Sequence, residues 1–229
     1  GELWLPQLAR QIATIDQMSG GRLTINIISS DLPGEELESE SRYARTREYM
    51  KILRELLNGN PVGYHGEFVD LEIEAPRVRT VTGKCPPFYF GGFSEAAKET
   101  AAMESDVFLT WPDTIKGVES IVSDMKKRAS GYGRELKYGL RAHVIVRDSE
   151  KEAREAANRL ISRLDDQKGE AIRNLSLDAI SVGVSRQTEL RENSDDDGFI
   201  EENLWTGVGR ARSGAGAAIV GDPDQVKEK

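Results

Sequence analysis

The sequence predicts an α/β fold, a parallel sheet with helices on its outside, and three observations predict it. Apolar residues recur at helical spacing in successive stretches, the mark of helices with one buried stripe. Between these stretches lie short runs of β-branched and aromatic residues, of which Leu23-Thr24-Ile25-Asn26-Ile27-Ile28 is nearly continuous in apolar character. Such a run suits a strand covered on both faces, as in a parallel sheet. Glycine or proline closes three of the helices, at Gly20-Gly21, Gly59-Asn60-Pro61 and Gly131-Tyr132-Gly133, and strands that alternate with helices connect by right-handed crossovers.

Taken in order, Leu5, Leu8, Ile12, Ile15 and Met18 predict a helix over 6–18, stopped by Ser19-Gly20-Gly21. The strand 23–28 and a polar loop over 29–41 follow. A second helix over 41–57 carries Tyr49, Ile52, Leu53, Leu56 and Leu57 on one face and is broken by Asn58-Gly59-Asn60-Pro61. Alternation around Tyr64, Leu71 and Ile73 predicts a small antiparallel hairpin. Phe88-Tyr89-Phe90 is a buried strand, Ser94–Met103 a helix, Val107-Phe108-Leu109-Thr110 a strand, and the stretch after Pro112 a helix to about residue 130. A strand over 138–146 leads to a helix opened by Ser149 with Glu152 three residues on, a capping box. Its buried stripe is Ala153, Ala156, Ala157, Leu160, Ile161 and Leu164. Residues 166–218 break the rhythm. They are polar, contain Asp195-Asp196-Asp197 and end rich in glycine, the profile of a lid or binding loop within one domain spanning 1–229.

Composition narrows the function classes. Among 229 residues, 31 Lys and Arg stand against 39 Asp and Glu, a net charge of -8, which argues against nucleic acid or an anionic membrane as partner. No stretch approaches the ~18 apolar residues of a membrane helix. One cysteine, Cys85, excludes an intramolecular disulfide framework and suggests a reducing, cytoplasmic setting. With only His65 and His143 beside it, no zinc site of the usual Cys/His type is expected. Cys85 is read as structural, and His65 as facing solvent. The chain opens just ahead of a helix and stops at Val226-Lys227-Glu228-Lys229, apparently inside another. A piece cut from a longer protein is therefore expected.

Four features could carry chemistry. Gly91-Gly92-Phe93-Ser94 joins a strand to a helix, where bare backbone, free helix N–H groups and a hydroxyl would suit a phosphate. A tight turn with a Ser cap explains the same residues. Arg141 and His143 fall on one face of the strand 138–146 by alternation, costly inside a sheet unless paired or used. A structural Arg–His pair is the other reading. Arg210 and Arg212 sit in a glycine-rich loop that would suit an anion or be merely solvated. Trp111 stands at the carboxyl end of a strand, where parallel α/β sheets gather ligands, or else packs there as a plain aromatic.

These residues lie within a longer resemblance. Arg10-Gln11-Ile12-Ala13-Thr14-Ile15-Asp16, Gly21-Arg22-Leu23-Thr24-Ile25-Asn26 and Pro87-Phe88-Tyr89-Phe90-Gly91-Gly92 contribute to it. So do Leu109-Thr110-Trp111, Arg141-Ala142-His143-Val144-Ile145-Val146-Arg147 and, most specifically, Asn203-Leu204-Trp205-Thr206-Gly207-Val208-Gly209. The chain resembles the bacterial-luciferase-like flavin monooxygenases, in their alkanesulfonate monooxygenase branch. The resemblance implies an incomplete (β/α)8 TIM barrel, with strand–helix units expected before residue 1 and a last strand after residue 229. It implies reduced FMN, supplied by a separate NAD(P)H-dependent flavin reductase, and O2 used to convert an alkanesulfonate or related organosulfur compound to sulfite and an aldehyde. It implies Asn26 near the flavin ring system and Tyr43, Gly91, Gly92 and Ser94 near the FMN phosphate. Arg141, His143 and Arg212 become active-site cations, with Trp111 lining the pocket. Phe93 stands where the family usually has a serine, which removes one phosphate hydroxyl. A homo-oligomer is expected for the full-length protein, and the piece alone is expected to be inactive. A deazaflavin-using relative and a non-catalytic phospholigand-binding module are the competing readings.

Overall fold

The computed structural model describes residues 3–30, 37–165, 167, 169, 171, 181–211 and 214–229. The chain divides into two compact units. The first is Gly1–Gly91, Glu95–Phe108 and Met125–Lys137; the second is Gly92–Ser94, Leu109–Asp124 and Tyr138–Lys229.

In the first unit, helix α1 (Leu5–Ser19) precedes strand β1 (Ile25–Ile27). Helix α2 (Ser39–Asn58) leads into the antiparallel hairpin β2 (Val62–His65) and β3 (Asp70–Ile73). Strand β4 (Phe88–Phe90), helix α3 (Glu95–Glu104) and strand β5 (Val107–Thr110) follow. Gly20 and Gly59 end α1 and α2 at φ 68° and 87°, a conformation that only glycine adopts without strain. Strand β4 pairs in parallel with β1 on one side and β5 on the other, as the continuous apolar runs predict. Phe88, Phe90, Phe108, Met50, Ile52 and Met125 are fully buried around them. Ala97, Ala101 and Ala102 are buried completely on α3, and these small side chains let α2 pack close. Glu48 of α2 holds the hairpin turn by accepting the backbone N–H groups of Glu67, Phe68 and Val69 at 2.9–3.0 Å. Not every predicted stripe residue is covered: Ile15 and Met18 of α1 are 51% and 83% exposed.

The second unit takes the carboxyl end of β5 and the start of helix α4 (Ile115–Gly131). Strands β6 (Lys137–Leu140) and β7 (His143–Val146), helix α5 (Glu150–Ile161) and helix α6 (Val182–Glu192) come next. Strands β8 (Phe199–Glu201) and β9 (Leu204–Trp205), a 3-10 turn at Gly207–Arg210, strand β10 (Ala218–Gly221) and helix α7 (Pro223–Glu228) complete it. The strands form two four-stranded sheets, ordered β1–β4–β5–β6 and β7–β10–β9–β8, besides the hairpin. In the second sheet β7 and β10 are parallel, while β9 and β8 are antiparallel additions. Trp205 is the centre of the core here, packed with Ile145, Phe199, Ala218 and Val220 against Ala153, Ala156 and Ala157 of α5.

The structure corrects three expectations. The single strand over 138–146 is two strands in two sheets, broken at Arg141-Ala142. Its first half runs beside β5 as far as the bond from Arg141 N–H to Thr110 O, and its second half turns to pair with β10. The stripe of α5 packs on the core at Ala153, Ala156, Ala157 and Ile161 as predicted, but Leu160 is 70% exposed. The stretch 166–218 is not structureless where it is described. Residues 181–211 form a helix, a hairpin and a 3-10 turn, because Trp205, Leu204 and Phe199 supply a buried apolar face that polar composition concealed.

Candidate active site

In the first unit three predicted residues lie on or beside β1 and β4, but alternation puts Asn26, level with Tyr89, on the sheet face opposite Phe90, against which Tyr43 packs. Asn26 is exposed on β1, in register with Tyr89. Tyr43 of α2 sets its ring edge-on to Phe90, the last residue of β4, with centroids 6.2 Å apart at 71°. Gly91 follows Phe90 and is exposed. Ser29 and Thr46, which sequence reasoning missed, tie the end of β1 to α2 by a 2.9 Å hydroxyl bond. Glu95, in the first turn of α3, would repel an anion there, but Lys98 and Arg128 each hold its carboxylate at 2.6 Å. The hydrogen bond from Lys98, then that from Arg128, keeps its carboxyl below the usual range.

In the second unit the turn Gly92–Ser94, the loop after β5 and the start of α6 converge on Trp111. Phe93 lies against Trp111 with ring centroids 6.2 Å apart. The residue that replaces the expected phosphate-binding serine is therefore a packing partner of the indole. Gly183 of α6 faces the same two rings: a Cβ there would stand 2.9 Å from Phe93 and 3.2 Å from Trp111. A Cβ on Gly216 would stand 3.0 Å from Pro112 and 3.3 Å from Trp111. Only glycine permits either approach without displacement.

Two residues after Trp111, Asp113 has a side chain 3% exposed and accepts from Nε and Nη2 of Arg186, at 2.7 and 2.8 Å. Arg186 also meets Glu189 at 2.8 Å; the bonds to Asp113 and Glu189 push its guanidinium pKa further up. Asp113, Arg186 and Gln187 were not singled out from sequence. The available signal was the buried face of α6, where Gly183, Val184 and Leu190 line up with a polar residue, Gln187, among them.

Arg141 and His143 are both exposed, and among the described residues neither side chain has a hydrogen bond or ion pair. The break at Arg141-Ala142 removes the alternation that put them on one face. Within β7, His143 pairs opposite Ala218 and shares the side of Ile145, while Val144 and Val146 on the other side are 52% and 37% exposed. Arg210 ends the 3-10 turn, whose Gly209 carbonyl accepts from Arg191 at 3.1 Å. Arg212 lies outside the described residues. Cys85 is half-buried, and burial pushes its thiol up to about 12. His65 is exposed and bonded to Asp70 at 2.7 Å, which raises its pKa. Among the described residues no group of three or more His, Cys, Asp or Glu could hold a metal ion, and no helix is long and apolar enough to cross a membrane.

Residues 7–229 match the family model described as luciferase-like monooxygenase. The chain is 58% identical to a protein named sulfoquinovose monooxygenase from Novosphingobium aromaticivorans, an alignment that takes in all of this chain and 65% of that protein. It is 47% identical to another of that name from Agrobacterium fabrum, over 99% of this chain and 59% of that protein. The chain thus spans about three-fifths of the length of these relatives. Among solved structures, the EDTA monooxygenase from Chelativorans superposes with a TM-score of 0.74 at 18% identity, over all of this chain and 62% of that one. The likeness shows the fold: the chain is part of a luciferase-like (β/α)8 barrel.

Proposed function

The chain belongs to the luciferase-like monooxygenase family, and from that premise we propose that the whole protein is a two-component flavin-dependent monooxygenase of organosulfonates. The observation that carries this reading is the whole-chain likeness to proteins named sulfoquinovose monooxygenase, which makes sulfoquinovose the first substrate to test. Reduced FMN, delivered by a separate NAD(P)H-dependent reductase, would supply the two electrons that convert one atom of O2 to water. The other oxygen atom enters the substrate, the carbon–sulfur bond breaks, and sulfite and an aldehyde leave.

The residues present fit such a group. Gly91 is exposed and Gly92 and Ser94 are half-buried, so the turn before α3 can be approached, and Glu95 is neutralised by Lys98 and Arg128. Following the family resemblance, we assign Gly91, Gly92, Ser94 and Tyr43 to the phosphate and Asn26 to the ring system. Trp111, backed by Phe93, offers an apolar wall that excludes water. Arg141 and His143 have no competing partner among the described residues, which suits them to bind the sulfonate, Arg141 through its two-pronged guanidinium. Arg212 is assigned the same task. A lid over 166–218 that carries Arg212 to the substrate is part of this proposal.

The test is oxygen-dependent sulfite release by the full-length protein with reduced FMN, offered sulfoquinovose, short alkanesulfonates and a non-sulfonated sugar. Sulfite from sulfoquinovose is expected. Arg141→Ala is expected to lower kcat/KM about a hundredfold and Arg141→Lys about tenfold, the range for losing charged hydrogen bonds in whole or in part. Oxygen consumption with no sulfite from any sulfonate would overturn the reading.

A further inference from the structure

Gln187, on the buried side of α6, reaches two other parts of its unit at once. Its carboxamide donates from Nε2 to the carbonyl of Pro112 at 2.9 Å and accepts at Oε1 from the backbone N–H of Ala217 at 3.0 Å. A carbonyl only accepts and an amide N–H only donates, so the group between them must offer one donor and one acceptor on a single planar end. Glutamine does this; glutamate, lysine and methionine do not. One residue earlier, Arg186 grips buried Asp113 through Nε and Nη2, so the helix turn that presents Gln187 is itself fixed to the loop after β5.

The two groups joined by Gln187 flank Trp111. Pro112 follows it in the chain, and Ala217 follows Gly216, whose Cα side lies against Trp111 and Pro112. We propose that Gln187 is a positioning residue: it fixes the backbone of 214–217, at the entrance to β10, against the Trp111 loop. The indole is then held between Phe93, Gly183 and Gly216, and α6 is what keeps that spacing. This assignment rests on the proposed role of Trp111 in lining the substrate pocket. The latch itself is a matter of geometry and can be read without turnover.

The experiment uses the full-length protein and two substitutions. Gln187→Met keeps the length and volume and removes both bonds. Gln187→Glu keeps the acceptor for Ala217 and removes the donor to Pro112. Hydrogen exchange read on a peptide spanning 214–218 should accelerate about tenfold in Gln187→Met, the loss expected when an amide gives up its partner. Gln187→Glu sets a carboxylate oxygen against the Pro112 carbonyl, so exchange there should accelerate as well; exchange like the parent's would mean that the bond to Ala217 alone protects 214–217 and would overturn the latch. With sulfoquinovose and reduced FMN, Gln187→Met should raise the sulfonate KM about tenfold and leave kcat within about twofold, since binding geometry rather than chemistry is disturbed. Unchanged exchange in Gln187→Met would overturn the latch. So would acceleration spread evenly over every peptide with a matching fall in Tm, since that is loss of general stability. If the parent releases no sulfite, the functional reading fails while the exchange result still decides the latch. If exchange changes locally and KM does not, the latch holds the backbone but does not position a substrate site, and the proposal is overturned.

Discussion

Glu104, the last residue of α3, shows how a single buried group governs behaviour with pH. It is 8% exposed, and burial raises its carboxyl pKa more than Lys51, Arg134, Arg54 and Arg47 together lower it. The sign follows from linkage. The folded state holds the proton more tightly than the unfolded chain, so stability is greatest below the unfolded pKa and falls as pH rises through the raised folded value. Replacing the carboxylate with its neutral isostere removes that fall. Glu104→Gln should be at least as stable as the parent at about pH 8, and the difference should shrink toward about pH 4, where the parent carboxyl is protonated too. Urea unfolding midpoints at the two pH values measure this; a variant less stable at the higher pH would mean that the contact with Lys51, at 3.8 Å, outweighs burial. Residue types alone suggested neither this nor the pairing of Asp113 with Arg186. Trp111, Arg141 and the glycine turn drew attention by residue type and position along the chain, each with a purely local reading beside the functional one, and their roles belong to the proposed function.

At the scale of elements, helix α6 changes the reading of 166–218. Its buried face is short, Gly183, Val184 and Leu190, and its position depends also on a half-buried ion pair that periodicity does not register. Breaking the pair leaves the Asp113 carboxylate, 3% exposed, without its main partner. Arg186→Ala should therefore cost about 2–3 kcal/mol, below the range for fully buried pairs because Arg186 itself is about one-third open to water. Arg186→Lys should recover only part of the loss, since an ammonium cannot reproduce the two parallel bonds. Thermal unfolding of the parent and both variants checks the order. Equal stability of Arg186→Ala and the parent would show that α6 is held by its backbone packing alone. The strand over 138–146 makes a related point. Its composition reads as one strand, yet it serves two sheets, and a change of partner bends it where Arg141 and Ala142 leave the ladder.

For the molecule as a whole, apolar side chains remain uncovered on several elements. Trp4, Met18, Ile28, Val144 and Leu160 are each more than half exposed. Exposed apolar groups of this number favour self-association, and a net charge of -8 opposes it only at low salt. The 229-residue chain alone should therefore associate as its concentration rises, more readily at high ionic strength. A light-scattering dilution series that stays monodisperse at both high and low salt would refute this.

The sequence by itself determined the order of elements as far as α4, the family resemblance and several helix ends. Those features are local: stripes of period 3.6, glycines at Gly20 and Gly59, and Ser149 accepting the N–H of Glu152 all act within a few residues. Tertiary structure alone decided where β6 gives way to β7, what Phe93 does in place of a serine, and how α6 is tied down. Asp113 and Arg186 stand 73 residues apart and Gln187 and Pro112 stand 75 apart, so their meeting depends on which strands and helices arrive beside one another. Periodicity records which face of an element is buried. It carries no record of the neighbour that buries it, and that neighbour is what turns a polar residue on a helix into a bridge.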